Sequence, residues 1–444
     1  MPLKLDKSRT IFKANRKVIP GGVVSVNRAI KPEIAFIRGR GSRVWDADGN
    51  EYIDYHAAFS PYLLGHSDPD VNQAVKDGLD DNLSLMGSGT NPWEGMLAEL
   101  MVKHIPAVDK VMFANSGSEV TYAAIRLARS YTSRNGIILM QGGYNGWHND
   151  VAFNVMNPVD QIGPYVSPGE YPLRPISAGI PDNLFKNVHV INYNDLDSVS
   201  HIIRNFDIAA ILLEPILQNI GIVKPKPDYL AGLRQICDSE GVVLIFDEVK
   251  TGFRHALGGY QSVCGVMPDL CTFGKAMANG YPIGAIGGRE DIMNYLVHEN
   301  AAKRVLVAGT YNAHPVPTLA SIATIEKLAK NEKENYKRLY ELGARMQGGL
   351  EKLFSEFGLT ATVARQGSAF CVYFMDHPPV HWHDVAEHHD FSFDTEYRTR
   401  LIDEGIYHFP LPTKQGSLSL AHSDQDVDLT LEKTRAVLEM TQDA

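Results

Sequence analysis

The sequence predicts an α/β fold, with a large domain built on a mainly parallel, doubly wound sheet and a small α+β domain. Two observations support this prediction. Between residues 110 and 273, short apolar runs alternate with stretches of helical periodicity, which is typical of parallel strands buried on both faces. From residue 361 onward, short strand-like segments and helices lack that alternation, which favours a separate lobe. We expect the small domain to comprise residues 1–65 and 321–444, and the large domain residues 66–320.

The composition is that of an ordinary globular protein and excludes several functional classes. The chain has 444 residues, of which 44% are hydrophobic and 21% charged, so it can bury a sizeable core. A formal net charge of −10, with both signs spread along the chain, argues against nucleic acid as a partner. No apolar run approaches the roughly 18 residues of a membrane span, and the N-terminus lacks the apolar core of a signal peptide. The four cysteines have no metal-ligand spacing and are interpreted as reduced thiols, so we expect a cytoplasmic protein without a resident metal.

The elements of the two domains follow from hydrophobic periodicity and turn residues. Strands of the large domain are predicted at 111–114, 136–140, 187–193, 208–213, 242–246 and 270–273. Helices are predicted at 1–19, 69–82, 93–105, 226–240, 316–357 and 393–404. Short strands are expected at 369–375, 406–407 and 418–421 in the small domain. The strongest hairpin pattern lies at 43–55, where Asp48-Gly49 joins two strands.

Arg28 lies in a loop between the N-terminal helix and this hairpin. It is either a solvated arginine or a fork that binds the carboxylate of a substrate. The sequence around it does not decide between the two interpretations.

The turn Ser116-Gly117-Ser118-Glu119 follows a strand and begins a helix. Ser116 and Glu119 fit a capping box, which is a purely structural role. The same turn can seat a phosphate, because backbone N–H groups, a glycine and hydroxyl groups meet at a helix start. The two interpretations are compatible.

Three further side chains follow strands of the large domain. Tyr144 could stack on a flat ring or simply pack in its loop, and Glu214 comes directly after a later strand with Asn219 close behind. Because parallel strands bring their carboxyl ends to one edge of a sheet, we expect chemistry at that edge. Residues 150–185 lack periodicity, and such a long irregular stretch inside a compact domain is often a lid.

The stretch from Gly241 to Gly288 holds the central strand and the strongest chemical pattern. The apolar run Val242–Phe246 ends in Asp247 and Glu248, and Lys275 follows the next apolar run. Singly, the acidic pair could cap a helix and the lysine could lie at the surface. A crowded, poorly solvated lysine, however, loses its proton readily and can form a Schiff base. Pyridoxal phosphate needs a lysine that binds its aldehyde and an aspartate that pairs with its pyridine nitrogen, so this pair of residues suits that cofactor.

Two nucleotide-binding motifs are absent from the sequence, because no complete G-x-G-x-x-G follows a strand and no P-loop surrounds Lys275. Several histidines lie between His377 and His389. We interpret them as a polar surface loop, since their spacing does not match a metal site.

These stretches together resemble class III enzymes of fold type I, which depend on pyridoxal phosphate, and among them the glutamate-1-semialdehyde 2,1-aminomutases. The similarity runs almost from end to end. It is carried by the motifs PGGVVSVNR, VWDADGNEYIDY, LLGH, ANSGSE, GGYNGW, LLEP, FDEV, FGKAMANGYPIGAIGG, GTYNAHP and LSLAHS.

The resemblance implies a role for each candidate near the central strand. Lys275 would form the Schiff base with the cofactor, and Asp247 would pair with its pyridine nitrogen. Val249 would pack against the ring face opposite Tyr144. The turn Ser116-Gly117-Ser118 would seat the phosphate.

The resemblance also implies contacts from more distant parts of the chain. Glu214 and Asn219 would line the hydroxyl side of the cofactor. Thr310 would reach the phosphate of a neighbouring subunit, which implies a homodimer with shared active sites. Arg28 matches the arginine that binds the carboxylate of the substrate.

Three positions depart from the pattern of the family. Asn145 stands where a histidine is usual, and Lys250 stands where methionine or glutamine is common. Lys414 stands where the aminomutase has a glutamate. An ammonium group there would repel the free amino group of the aminomutase substrate and attract a carboxylate or a carbonyl. Lys414 is therefore a candidate substrate-binding residue that favours an aminotransferase.

Three hypotheses follow for the function. The first is an aminotransferase that moves an amino group from a carboxylate-bearing donor, such as a β-amino acid or an unusual α-amino acid, to pyruvate or 2-oxoglutarate. The second is the aminomutase, an isomerase that makes 5-aminolevulinate and could retain its intermediate under the 150–185 segment. The third is a cofactor-binding protein without turnover, which the intact Lys275 and Asp247 disfavour.

Overall fold

The computed structural model describes residues 3–442, which form two compact units. They are the large unit, residues 69–336 and 378–389, and the small unit, residues up to 68, 337–377 and from 390 onward. The three domain ranges expected from the sequence stay a prediction beside this division.

The bounds of the strands and helices of both units are as follows. The strands are β1 Phe36–Arg40, β2 Arg43–Asp46, β3 Glu51–Asp54, β4 Lys110–Ala114, β5 Gly136–Met140, β6 Val188–Ile191, β7 Ile208–Leu213, β8 Val243–Asp247, β9 Leu270–Phe273, β10 Gly284–Gly288, β11 Thr362–Gln366, β12 Ala369–Tyr373, β13 Ile406–Tyr407 and β14 Gly416–Ser417. The helices are α1 Asp6–Asn15, α2 Pro69–Asp80, α3 Pro92–His104, α4 Gly117–Thr132, α5 Val159–Ile162, α6 Leu196–Asn205, α7 Tyr229–Glu240, α8 Tyr260–Cys264, α9 Glu290–Met293, α10 Pro315–Lys330, α11 Glu332–Glu356, α12 Trp382–His388, α13 Phe391–Asp403 and α14 Asp424–Gln442. Over residues 3–442, none of these helices has the length and apolar character that crossing a bilayer requires.

The large unit is built around a seven-stranded sheet with the strand order β4-β10-β9-β8-β7-β5-β6. Strand β10 runs antiparallel to its two neighbours, and all other neighbouring strands pair in parallel. Every residue of β5, β7, β8 and β9 is buried, as expected for strands covered on both faces. The structure confirms the predicted α/β fold with a mainly parallel sheet. Because these four strands are adjacent and parallel, their carboxyl ends share one edge.

Helix α4 begins at the predicted turn. The Ser116 side chain accepts a hydrogen bond from the backbone N–H of Glu119, as an N-cap residue does. Apolar residues spaced three and four apart, including Val120, Ala124 and Leu127, bury one face of the helix in the core of the large unit. This packing fixes the turn before the helix at the edge of the sheet.

Strand β10 was not expected from the sequence, because its Gly-Ala-Ile-Gly-Gly composition is poor in strand-forming residues. The structure explains the glycines by close approach of other backbone atoms. A Cβ added at Gly284 would lie 2.4 Å from the Ser116 carbonyl oxygen, and one at Gly288 would lie 2.3 Å from the Asp269 carbonyl oxygen. Glycine therefore permits the dense packing of the sheet beside the Ser116 turn.

The small unit contains two small sheets, with the orders β1-β2-β3-β13 and β11-β12-β14. The predicted hairpin is present, since β2 pairs antiparallel with β3. Its turn is fixed by Asp46, whose Oδ1 accepts hydrogen bonds from the N–H groups of Asp48 at 3.0 Å and Asn50 at 2.8 Å. The bounds expected for the last strand, residues 418–421, are wrong, because the residues that pair with β12 are Gly416 and Ser417.

The histidine-rich segment is not the polar loop that we expected. Residues 382–388 form helix α12, which belongs to the large unit. His383 is completely buried, and its Nε2 lies 2.9 Å from the carbonyl oxygen of Gly163. The indole of Trp382 donates a hydrogen bond to the carbonyl oxygen of Asn157 at 2.7 Å. The helix thus holds part of the 150–185 segment, for which the role of a lid stays a prediction.

Candidate active site

Asp247 is the last residue of β8 and lies at the carboxyl edge of the sheet. Its carboxylate is buried and accepts three hydrogen bonds. Oδ1 accepts from the N–H of Val249 at 3.1 Å and the hydroxyl of Thr272 at 3.0 Å, and Oδ2 accepts from the side-chain amide of Asn145 at 2.8 Å. Burial raises the pKa of Asp247, and the hydrogen bonds together with the nearby Lys275 charge only partly oppose that rise.

These contacts leave Asp247 able to accept one further hydrogen bond. A carboxylate oxygen accepts about two hydrogen bonds. Oδ1 already has two donors, whereas Oδ2 has only Asn145 among the residues that the structure describes. The second lone pair of Oδ2 can therefore accept a hydrogen bond from a ligand N–H, such as a protonated pyridine nitrogen.

Lys275 lies two residues beyond the end of β9, at the start of a short 3₁₀ turn that extends to Ala278. Its φ of +44° is left-handed, which is uncommon outside glycine and typical of strained functional sites. Burial of the amine lowers the pKa of Lys275, and the charges of Asp247 and Glu214 oppose this effect. A lysine with a lowered pKa is the form of the side chain that reacts with a carbonyl.

The ends of β5 and β7 carry the next group of predicted residues. Glu214 is buried, and its Oε1 accepts a hydrogen bond from the backbone N–H of Tyr144 at 3.0 Å. The Asn219 side chain donates to the carbonyl oxygen of Gly142 at 3.1 Å. Burial and the charge of Asp247 raise the pKa of the Tyr144 hydroxyl. The structure thus brings Tyr144, Glu214 and Asn219 to the same edge as Asp247.

The turn Ser116-Gly117-Ser118 has the features of an anion seat. The first backbone N–H groups of α4 have no partners within the helix, and its positive dipole end lies there. A Cβ added at Gly117 would lie 3.0 Å from Val249 Cγ1, so the turn packs directly against the residue that follows Asp247 and Glu248. The site therefore combines a turn that can seat a phosphate, a buried amine with a lowered pKa and a carboxylate that can accept a hydrogen bond from a ring nitrogen. These residues fit pyridoxal phosphate.

Three predicted residues lie in other parts of the chain. Arg28 lies in an exposed 3₁₀ turn of the small unit, and Lys414 lies in its β13–β14 connection, where the Lys414 carbonyl accepts a hydrogen bond from Arg398 at 3.0 Å. Thr310 lies in the large unit, but in an exposed loop. Their roles in binding stay predictions.

The residues that orient the carboxylates of Asp247 and Glu214 are not evident from the sequence pattern. Asn145 was noted only as a departure from the family, and Thr272 and Gln218 were not singled out. Thr272 becomes recognisable only once the strand pairing is known, because it lies opposite Asp247 on the neighbouring parallel strand β9. The backbone donors of Val249 and Gln218 leave no trace in the sequence.

Glu248 is a structural residue, in contrast to its neighbour Asp247. Its buried carboxylate accepts hydrogen bonds from the Thr251 hydroxyl at 2.9 Å, the Tyr260 N–H at 2.6 Å, and both the backbone and side-chain amides of Gln261. It caps the start of α8 and ties the loop after β8 to that helix.

We expect Glu248→Ala to destabilise the protein by roughly 3 kcal/mol, because buried donors lose their acceptor. Thermal or urea unfolding monitored by circular dichroism measures this effect. Folded Glu248→Ala should still bind the cofactor. A variant with unchanged stability but no cofactor binding would instead place Glu248 in the site.

The fold and this cluster define an enzyme of fold type I that uses pyridoxal phosphate. A family model described as aminotransferase class-III matches residues 25–420. The chain therefore belongs to the class III aminotransferase family, and it takes pyridoxal phosphate as its cofactor.

Individual relatives carry different reactions on this scaffold. A glutamate-1-semialdehyde 2,1-aminomutase of Acetivibrio thermocellus is 39% identical over 437 residues, covering 97% of each chain. The crystal structure of an omega-transaminase from Sphaerobacter thermophilus superposes with a TM-score of 0.88 at 30% identity, covering 98% of both chains. A β-phenylalanine aminotransferase from Variovorax paradoxus has a TM-score of 0.85 at 27% identity, covering 98% of this chain and 94% of the other.

Proposed function

We propose that the protein rearranges or transfers an amino group on a small, carboxylate-bearing substrate. Pyridoxal phosphate, when bound, supplies an aldehyde that condenses with amines and a ring that withdraws electrons. Lys275 Nζ would hold that aldehyde and would carry the proton that the reaction moves. Asp247 Oδ2 would keep a proton on the ring nitrogen. The Ser116-Gly117-Ser118 turn would hold the phosphate, and Tyr144 and Val249 would contact the ring.

The first candidate reaction is that of glutamate-1-semialdehyde 2,1-aminomutase. The observation that supports it is the 39% identity to such an enzyme over nearly the whole of both chains. This overall similarity favours the isomerase over the transfer reaction that the sequence analysis preferred. In this candidate, Arg28 binds the substrate carboxylate.

The second candidate is an aminotransferase, and one specific residue favours it. Lys414 places an ammonium group where we align the glutamate of the aminomutase. An ammonium repels an amino group and attracts a carboxylate. The donor would then be a β-amino acid or an unusual α-amino acid, and the acceptor a keto acid such as pyruvate or 2-oxoglutarate. The structural similarity to a β-phenylalanine aminotransferase is consistent with such a donor.

We further propose a homodimer with shared active sites, in which Thr310 reaches the phosphate bound by the other subunit. Its neighbours support this assembly, because Tyr311 is 61% and Leu306 73% exposed on the isolated chain. Large apolar side chains this exposed are typical of an interface. We also propose a cytoplasmic location, which agrees with four free cysteines.

A substrate screen separates the two reactions. The purified protein with bound cofactor is supplied with glutamate 1-semialdehyde alone, and formation of 5-aminolevulinate is measured. In parallel, single amino donors are added while the visible absorption of the cofactor is followed, with and without pyruvate or 2-oxoglutarate. We expect 5-aminolevulinate to form without any keto acid. Bleaching by an amino donor that a keto acid reverses, with no 5-aminolevulinate, would instead establish the aminotransferase.

Lys414→Glu provides a matched test of specificity, and Lys414→Gln removes the charge without reversing it. If Lys414 selects an aminotransferase donor, Lys414→Glu lowers activity with that donor more than Lys414→Gln does. If the aminomutase is correct, Lys414→Glu leaves or raises the formation of 5-aminolevulinate.

A further inference from the structure

Lys250 lies on the loop after β8 and has no role in the chemistry described above. Its side chain is partly buried, and its Nζ donates a hydrogen bond to the backbone carbonyl of Gln218 at 2.7 Å. An ammonium group is thereby fixed beside the segment that follows β7.

Gln218 connects Lys250 to Glu214. The backbone N–H of Gln218 donates to Glu214 Oε2 at 2.9 Å, while its carbonyl accepts from Lys250. The other carboxylate oxygen, Oε1, accepts from the N–H of Tyr144. Only 3% of Glu214 is exposed. Two neutral backbone donors alone are poor compensation for a buried negative charge, which is costly without a counter-ion.

Among the residues that the structure describes, Lys250, Asp247, Lys275 and Tyr193 lie close enough to Glu214 to interact with it electrostatically. Burial raises the pKa of Glu214, and the negative charge of Asp247 raises it further. The positive charge of Lys250 is the largest influence that lowers this pKa. Lys250 is therefore the principal cation that favours the ionised carboxylate.

We propose that Lys250 is a positioning residue that anchors the 214–218 turn and keeps Glu214 ionised beside Lys275. The inference rests on the proposed function for the role of Lys275. With Lys250 present, its ammonium group offsets part of the negative charge of Asp247 and Glu214. Without it, the negative charges would be in excess and would oppose a carboxylate-bearing substrate.

The test is the pH dependence of the melting temperature of full-length protein, with and without bound pyridoxal phosphate. Loss of the Lys250 charge raises the pKa of Glu214 further above its ordinary value. A carboxyl group with a raised pKa binds more protons in the folded than in the unfolded state, so stability falls as the pH rises above the ordinary value. We expect Lys250→Gln to melt near the wild type at about pH 5 and at least about 2 °C lower at about pH 7.5.

The matched variants separate charge from packing. Lys250→Gln keeps a donor for the Gln218 carbonyl, Lys250→Met removes donor and charge, and Lys250→Arg should follow the wild type. In the Glu214→Gln background, Lys250→Gln should show no pH-dependent difference. The exposed Lys186→Gln serves as a control that should match the wild type throughout.

A difference between Lys250→Gln and the wild type that is constant with pH would overturn the proposal, as would a pH-dependent difference that persists in the Glu214→Gln background. If Lys250→Gln does not fold, Lys250→Met is compared in the same two backgrounds. Because no substrate is present, a negative result in the substrate screen leaves this measurement unaffected. Conversely, a flat pH dependence overturns only the role of Lys250.

Discussion

Lys275→Ala is expected to lower the rate of amino-group chemistry by about 10³-fold or more, because one substitution removes both the amine that binds the cofactor aldehyde and the group that moves the proton. Burial lowers the pKa of this amine, which favours its unprotonated, reactive form. The measurement is the single-turnover rate with the substrate identified by the screen. The visible absorption spectrum of the bound cofactor should change as well, because its aldehyde no longer has a lysine partner.

The exposed Lys186→Ala is the matched control, and it should keep both the spectrum and the rate of the wild type. A small amine such as methylamine, added to Lys275→Ala, should restore part of the rate, since it replaces the missing base. Activity of Lys275→Ala within about tenfold of the wild type would contradict the assignment. Wild-type protein that binds the cofactor but turns over no substrate would support the third hypothesis, a binding protein.

Asp247→Asn is expected to have the second-largest effect, a loss of roughly 10²- to 10⁴-fold in rate. An amide cannot hold the ring nitrogen in its protonated, electron-withdrawing form as a carboxylate does. The substitution also sets the new amide N–H₂ group against the Asn145 amide that now donates to Oδ2. The rate should fall in the steady state and in the single turnover alike.

A double variant separates these two effects. Asn145→Asp in the Asp247→Asn protein restores a hydrogen-bonded pair while moving the negative charge away from position 247. If the charge on Asp247 is what matters, this variant is folded and as slow as Asp247→Asn. Recovery of the rate would show that the hydrogen bond alone accounts for the loss. Glu248→Gln, one residue further, should affect melting more than rate.

The sequence was sufficient to predict strands β8 and β9 and the edge of the sheet at which Asp247 and Lys275 lie. The apolar runs of β8 and β9 are short, buried and followed by Asp247 and Lys275, and parallel pairing brings such strand ends to one edge. The Ser116 cap was equally predictable, because helix capping and anion binding use the same turn residues.

The remaining features depend on contacts between distant parts of the chain. Position 284 of β10 requires glycine because the Ser116 backbone approaches it too closely for a Cβ atom. His383 is buried because Gly163 and neighbouring residues surround it. The secondary-structure propensities of the local sequence predict neither of these contacts. For the same reason, the Asn145–Asp247 hydrogen bond, which spans 102 residues, could not be inferred from residue types.

Helix α12 has a consequence for the order in which this protein is made. Trp382 and His383 of the large unit are synthesised well after residue 336. Until then, the carbonyl groups of Asn157 and Gly163 lack these two hydrogen-bond partners. An N-terminal fragment that stops at residue 336 is therefore an incomplete unit, although it contains every strand of the central sheet. The large unit depends on residues near the C-terminal end of the sequence, so it is completed late in translation.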